Sequence, residues 1–454
     1  MNMLHDTIIA HCTPSGSGAL ALIRISGPDA FLLANICAQL SSKKKLTEVE
    51  SHTIHHGWVI NSAAQKLDEV IFFAMKGPKT FTGEDIIEIT CHNNSFIIEA
   101  IIEQCIQVGM RLAQAGEFTR QAVENGKYDL LQAEAIHELI SAQSREQVQQ
   151  SLAQLSGSFS HCIQQLEHAT LHILALCEAS FEFLDEEMDF SSDIATKIDA
   201  LLATITSLKY NFDKQQQLRE GMRIALIGSV NAGKSSLFNA LLGKNRAIVT
   251  PIAGTTRDSI EAHTYEYGTS VTFVDTAGLR ITHDIVEKEG IERSYQEAEK
   301  ADLILLVIDT SRECSSYEQA IYYDLIQKYS HKLCIINTKA DLPTKTFPSD
   351  FCGLTVSVQT LIGIENCKIM LKEKLHLILQ QGTATFLLNK RHYTLLTSFE
   401  QELLHTKTLC KNPCPYELIS HHITQALAYI CELTGKSITE KTLDTIFSSF
   451  CIGK

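Results

Sequence analysis

The nine residues Gly228-Ser-Val-Asn-Ala-Gly-Lys-Ser-Ser236 constrain this chain more than any other stretch. They fit a glycine, four free positions, then Gly-Lys-Ser, with Gly228, Gly233, Lys234 and Ser235 at the fixed places. Before them runs Met222-Arg-Ile-Ala-Leu-Ile227, apolar enough for a buried strand. After them Leu237-Phe-Asn-Ala-Leu-Leu242 has helical spacing and stops at Gly243. A strand, a glycine-rich loop and a helix are the context this pattern needs. Backbone N–H groups from Asn231, Ala232, Gly233 and Ser236 would then face phosphate oxygens. Lys234 neutralises phosphate charge, the Ser235 hydroxyl binds Mg2+, and the helix N-terminus adds its dipole.

Further pieces follow in a fixed order. Thr250-Pro251-Ile252-Ala253-Gly254-Thr255-Thr256-Arg-Asp258 is a Gly/Thr-rich loop, in which Thr256 can complete the Mg2+ shell. Val271-Thr-Phe-Val-Asp275 is an apolar strand running into Thr276-Ala277-Gly278. Asp275 would hold Mg2+ through water, and the Gly278 N–H would meet the γ-phosphate. Ile304-Leu-Leu-Val-Ile308 is apolar throughout, as a parallel sheet requires. Cys334-Ile-Ile-Asn-Thr338-Lys339-Ala-Asp341 ends a strand on a carboxylate. That carboxylate can accept both N1–H and N2–H2 of guanine, which adenine does not offer. Ser357-Val-Gln359 would approach guanine O6 by backbone. The series as a whole specifies a GTPase rather than an ATPase. Leu279 follows the Asp-Thr-Ala-Gly string where a glutamine usually positions water, so the charge stabilisation must come from elsewhere. Asn231 either helps hold a monovalent cation against the phosphates or simply forms the turn.

The rest of the chain sets bounds. Its 454 residues suggest about three domains, and 44% hydrophobic against 20% charged residues is a globular composition. A net charge of −14 excludes extended non-specific nucleic-acid binding and confines any RNA contact to a local patch. No apolar run approaches ~18 residues, and Met1 to Asp6 lacks a secretory pattern, so a cytoplasmic protein is expected. The fourteen cysteines show no C-x-x-C pair and read as reduced, mostly buried residues.

Residues 1–120 read as an α+β domain, with strands at Thr7–Ala10, Ala19–Ile25, Gly57–Ile60, Val70–Ala74 and Ile86–Thr90. Phe31–Leu40 and Ser95–Gly109 have helical spacing. Residues 121–218 and 379–454 read as one helical domain, with Leu166, Leu171, Leu174 and Phe181 among its periodic positions. Residues 219–378 read as an α/β P-loop domain inserted into it.

These strings, with the flanking domains, resemble the MnmE (TrmE) family of tRNA-modification GTPases. The resemblance spans essentially the whole chain. It rests on Asp6-Thr-Ile8, Ile23-Arg-Ile-Ser-Gly-Pro28, Phe81-Thr-Gly-Glu-Asp85, Gly116-Glu-Phe-Thr-Arg120, Gly126-Lys-Tyr-Asp-Leu130, Gln132-Ala-Glu-Ala-Ile136, the GTPase series and the tail Phe447-Ser-Ser-Phe-Cys-Ile-Gly-Lys454. It implies a homodimer with a folate-binding N-terminal domain and a partner of the FAD-containing MnmG type, joined in a heterotetramer. Together they would place a carboxymethylaminomethyl-type group on C5 of the wobble uridine of certain tRNAs, with 5-formyltetrahydrofolate or a related folate as one-carbon source. It implies potassium activation, with K+ held by Asn231, Thr250, Ile252 (backbone) and Thr255, and Mg2+ by Ser235 and Thr256. Glu287, in Asp284-Ile-Val-Glu-Lys-Glu-Gly290, matches the residue that orients water, with Glu289 as its neighbouring rival and a solvated helix-start charge as the plain alternative. Arg24, Glu84, Lys127 and Lys454 match the folate positions. The chain departs from the pattern at Pro251 (usually Asp), Thr338 (usually Asn), Val358 (usually Ala) and Cys91-His-Asn-Asn94 (usually Gly-rich).

Cys451 reads either as a nucleophile or as a small structural residue. His52, His55 and His56, and Lys43-Lys-Lys45, read as surface residues. A GTP-gated binding switch without chemistry of its own is the rival function, and the N-terminal strings and the tail argue against it.

Overall fold

The computed structural model describes residues 6–14, 16–182, 190–210, 212, 222–242, 260–266, 269–275, 295–345, 348–380, 386–410 and 415–453. The chain forms two compact units. One holds residues 1–141, 151–207 and 390–454, the other 142–150 and 208–389. Among the described residues no helix is long and apolar enough to cross a membrane.

The first unit contains a seven-stranded sheet: β1 (Ile8–His11), β2 (Leu20–Ser26), β3 (Ala38–Leu40), β4 (Thr53–Ile60), β5 (Lys66–Met75), β6 (Ile86–His92) and β7 (Arg111–Leu112), in the spatial order β3-β4-β5-β6-β2-β1-β7. All pairs are antiparallel except β1 with β7. Alternation sets its buried face. Ala21, Ile23 and Ile25, then Val70, Phe72 and Ala74, then Ile87, Ile89 and Cys91 point into one core with helices Ala30–Ile36 and Ser95–Gln107.

The helical reading of Phe31–Leu40 holds only to Ile36. Ala38–Leu40 instead pairs with Gly57–Val59 as an edge strand. Gly57 makes the approach feasible, because a Cβ there would lie 2.5 Å from Gln39 O. Tertiary pairing overrides the local period at this point.

The same unit carries helices Glu117–Glu124, Leu130–Ser141, Ser158–Glu182, Ser191–Lys209, Lys390–Leu409, Tyr416–Thr434 and Glu440–Ser448. On Ser158–Glu182 the buried stripe is Phe159, Ile163, Leu166, Thr170, Ile173 and Cys177, whereas Leu171 is 40% exposed. A stripe read from leucines alone is therefore rotated from the true one, which includes a threonine satisfied by its own Leu166 carbonyl. Three of these helices meet at an ion cluster. Glu134 accepts from the Arg391 guanidinium (Nε 2.9 Å, Nη2 2.6 Å) and lies 2.7 Å from His392 Nε2. Arg391 also donates to the Glu432 and Leu433 carbonyls at the end of Tyr416–Thr434.

The second unit contains a six-stranded sheet: β8 (Met222–Ile227), β9 (Ile260–Glu266), β10 (Thr269–Asp275), β11 (Leu303–Asp309), β12 (Leu333–Thr338) and β13 (Leu354–Thr355), in the order β13-β12-β11-β8-β10-β9. Only β9 runs antiparallel. β11 is buried along its whole length, as its unbroken apolar run requires. Helices Lys234–Leu242, Ser316–Tyr329 and Ile364–Gln380 belong to this unit. Strand order reverses at β8, whose neighbours are β10 and β11. The crevice beyond the carboxyl end of such a switch strand is where an open α/β sheet binds its ligand.

Candidate nucleotide and N-terminal sites

The loop after β8 lies at that switch point. Gly228 is needed for clearance, since a Cβ would sit 2.2 Å from Val307 O on the neighbouring strand. Asn231 has φ 61° and Gly233 φ 91°, so two left-handed residues curl the loop before Lys234 opens the helix. Lys234 is buried, and its Nζ donates to Gly228 O and Ser229 O, both at 2.7 Å. Ser235, Ser236 and Asn231 are exposed. Asp275 ends β10 in register with Leu226, two residues before the loop. Ser235 lies in the first turn of the helix that follows β8, and Asp275 ends the adjacent parallel strand; a hydroxyl and a carboxylate are the hard oxygen donors that Mg2+ prefers.

The guanine-side strings converge on the same end of the sheet. Thr338 is 2% exposed, and its Oγ1 donates to Ala232 O at 2.6 Å. Its methyl-bearing Cβ also lies against Gly233. The departure from asparagine thus retains a polar tie between β12 and the phosphate loop. Lys339, at φ 61°, pairs with Asp309 (Nζ to Oδ2, 2.6 Å). Burial would raise the Asp309 pKa, but Lys339 and Ser311 outweigh it and hold the carboxyl below its ordinary value. Asp341 is exposed, and its Oδ1 accepts from Ser357 Oγ at 2.6 Å. The two loops expected to read the base are thereby joined. Asp309, Arg312 and Tyr322 also belong to this region and escaped the motif reading; the position of Asp309 at the carboxyl end of an apolar strand was the available signal. Thr250 to Thr256, with Pro251, Ile252, Ala253, Gly254 and Thr255 between them, lie outside the described residues. So do Thr276, Ala277, Gly278, Leu279, Glu287, Glu289 and Lys454.

In the first unit the segment Gly77–Asp85 folds across the outward face of β2. Ser26 Oγ is 2.8 Å from Thr82 Oγ1, and the Arg24 guanidinium sits over the rings of Phe81 (5.2 Å) and Phe118 (5.6 Å). Arg24 is already paired with Glu88 (2.7 Å), a partner the sequence reading did not name. Glu84 lies on this segment, where its N–H donates to Thr82 Oγ1. Lys127 Nζ donates to Pro78 O at 3.0 Å. Arg24, Glu84 and Lys127 are therefore gathered about one strap. The strap meets β2 at Ser26 and Gly27, whereas the C-terminal tail packs at the other end of β1, against Cys12. Ala115 bridges Ile452, Gly116 N donates to Cys451 O, and a Cβ on Gly453 would lie 2.8 Å from Cys12 Cα. Cys12 stands two residues beyond Ala10, the strand partner of Arg24. A charged fork framed by two aromatic rings, with a lysine and a carboxylate nearby, fits a ligand that carries both a flat ring and carboxylates.

The Cys91–Asn94 departure serves the sheet and the following helix. Cys91 is buried, and burial, then Asp68, push its thiol up to about 11. His92 pairs with Asp68, Asn93 donates to Gly16 O, and Asn94 caps helix Ser95–Gln107. Cys451 is exposed. His52, His55 and His56 contact Lys79 O, Thr53 and Glu69 respectively. Among the described residues no group of three or more His, Cys, Asp or Glu side chains is placed to hold a metal ion.

Residues 7–127 match the family profile described as the GTP-binding protein TrmE N-terminus, and residues 130–451 match that of the MnmE helical domain. A tRNA modification GTPase MnmE of Flavobacterium psychrophilum is 35% identical over 99% of this chain and 99% of its own length. That of Desulfitobacterium hafniense is 37% identical over 99% of this chain and 100% of its own. That of Enterococcus faecalis is 36% identical over 100% of this chain and 99% of its own. With both profiles matched and relatives aligned along their full lengths, the chain belongs to the MnmE (TrmE) family of tRNA modification GTPases.

Proposed function

We propose that this chain is a cytoplasmic, potassium-activated GTPase acting as a homodimer with an FAD-containing MnmG-type partner. The pair modifies C5 of the wobble uridine of certain tRNAs, with a folate supplying the one-carbon unit. The observation that carries this reading is the gathering of Arg24, Glu84 and Lys127 about one strap. A bare nucleotide switch has no use for such a site. The functional division is 1–120 for folate and dimerisation, 121–218 with 379–454 as helical scaffold, and 219–378 for GTP.

In the nucleotide domain Lys234 neutralises phosphate, Ser235, Asp275 and Thr256 serve Mg2+, and Asp341 reads guanine. The exposed, left-handed Asn231 is supported as a K+ ligand by its place at the loop tip, with Thr250, Ile252 and Thr255 completing the set. K+ supplies positive charge where the transition state develops negative charge, and Glu287 orients water.

The test combines two measurements. GTP hydrolysis in K+ and in Na+ at equal ionic strength should differ by at least about tenfold, or ~1.4 kcal/mol of barrier. Nucleosides from tRNA of cells lacking the protein should lack the wobble modification. Equal rates in both salts would remove the potassium role, and intact modification would leave the rival switch reading standing.

A further inference from the structure

Ser229, the second residue of the phosphate loop, is held on three sides. Its N–H donates to Tyr322 Oη at 3.2 Å, and its carbonyl accepts from Lys234. Its hydroxyl accepts from Arg312 Nη2 at 2.7 Å. Tyr322 is buried and packs edge-on to Phe351, so its hydroxyl has a fixed position. Arg312 is fixed by a two-point contact with Glu318. Glu318 in turn closes the capping box of helix Ser316–Tyr329 with Ser315. Arg312, then burial acting oppositely, set the Glu318 carboxyl, which settles at about 2. The ion pair is therefore intact throughout the neutral range.

We propose that Arg312, anchored by Glu318, is a positioning residue for the nucleotide: with Tyr322 it clamps Ser229 to helix Ser316–Tyr329 and thereby slows release of bound guanine nucleotide. None of the GTPase strings contains Arg312. A phosphate loop binds through backbone N–H groups whose directions must be set in advance. One helix grips the start of the loop through both its cap and its first buried tyrosine, so loop and helix move together. An opening motion that frees the phosphates must break the Arg312 to Ser229 bond. The inference rests on the loop being the phosphate site, as argued above.

The experiment follows dissociation of a fluorescent GDP analogue from the full-length chain after chasing with unlabelled GDP. Variants are Ser229→Ala, Arg312→Ala, Arg312→Lys and the Ser229→Ala/Arg312→Ala pair. Ser229→Ala leaves the Arg312 to Glu318 pair intact and serves as the check against misfolding. Each alanine variant should release nucleotide on the order of three- to tenfold faster, the worth of one charge-assisted hydrogen bond. The double variant should be no faster than the quicker single one, because both remove the same bond. Arg312→Lys should recover part of the slow release. Thermal melting followed by circular dichroism should not move for Ser229→Ala, which keeps the Arg312 to Glu318 pair, so that its faster release is not a consequence of unfolding. Wild-type rates in both single variants, or multiplying effects in the double, would overturn the clamp. Failure of the wild type to bind the analogue at all would overturn the phosphate site and the clamp with it, and is distinguishable because it precedes any variant.

Discussion

In the unit of residues 208–389, each element of the proposed nucleotide site is a short contiguous string at the carboxyl end of one parallel strand. The loop follows β8, Asp275 ends β10, Asp309 ends β11, Thr338 ends β12, and Ser357 follows β13. In the other unit nothing is contiguous. Arg24, Glu84 and Lys127 come together from separate stretches of the chain, and the ion cluster joins Glu134 to Arg391, 257 residues apart. Parallel strands with crossover helices deliver successive loops to one edge, so local order in sequence becomes local order in space. An antiparallel sheet flanked by helices has no such edge, and side chains with long-range partners must define its sites. Substitutions in the two units should therefore behave differently: those in the unit of residues 208–389 should act on nucleotide, those in the other on folding.

The largest effect expected is that of Glu134→Gln. It leaves the half-buried Arg391 guanidinium and the buried His392 without their carboxylate, which costs about 3–5 kcal/mol. Trp58, the single tryptophan, lies in β4 of the same unit and reports its unfolding in urea. The urea midpoint should fall sharply while GTP affinity stays within about twofold. A parallel loss of affinity would break the comparison. Acid sharpens it. Burial raises the Glu134 pKa, but His392 and Arg391 more than reverse this and hold it far below the carboxylate range. A group depressed on folding stabilises above its unfolded pKa, roughly 4.3, and that contribution is lost as pH falls below it. The gap between wild type and Glu134→Gln should thus narrow on acidification from about pH 5 downward.

A smaller effect is expected at Thr338, in the opposite direction of selectivity. Thr338→Val leaves Ala232 O without its buried donor, at a cost of about 1–2 kcal/mol. GTP should bind roughly five- to tenfold more weakly, and Thr338→Ser should retain most of the affinity. The Trp58 urea transition should not shift. A shift there with unchanged GTP binding would reverse the assignment of the residue.

This contrast also explains what was legible. In the nucleotide unit the parallel strands β8, β10, β11 and β12 and helix Lys234–Leu242 were legible, and its fold matches the α/β reading, whereas antiparallel β9 and helices Ser316–Tyr329 and Ile364–Gln380 were not read. In the first unit β1, β2, β4, β5 and β6 were legible, the two-residue β7 was not read, and β3 was hidden inside a helical period because its pairing with Gly57 is tertiary. Glu88 and Phe118, which frame Arg24, carry no local signal: one is an alternating residue on a strand, the other a buried helix position. Thr338 was legible as a motif position but not as a tie to Ala232, since hydroxyl direction depends on how β12 lies against the loop.

The smallest effect tests whether the contiguous strings are optimal in themselves. Leu361 follows the Ser357 string with φ 61°, a left-handed conformation that disfavours a side chain, and is 66% exposed. Its chain position is fixed from both sides. Ser357 N donates to Ile362 O, and Gly363, at φ 74°, approaches Thr355 so closely that a Cβ would lie 2.2 Å from its carbonyl. The turn therefore cannot relax to suit Leu361. Little packing offsets the strain, because most of the side chain faces solvent. Glycine at this position removes about 1 kcal/mol of backbone strain but gives the unfolded chain more freedom, so Leu361→Gly should stabilise this unit by only about 0.5 kcal/mol. The readout is the temperature at which a fluorescent guanine nucleotide is released on slow heating, which should rise by a degree or so, while Gly363→Ala should lower it. A fall with Leu361→Gly would mean that the exposed leucine contributes packing to the guanine loop that outweighs its backbone strain.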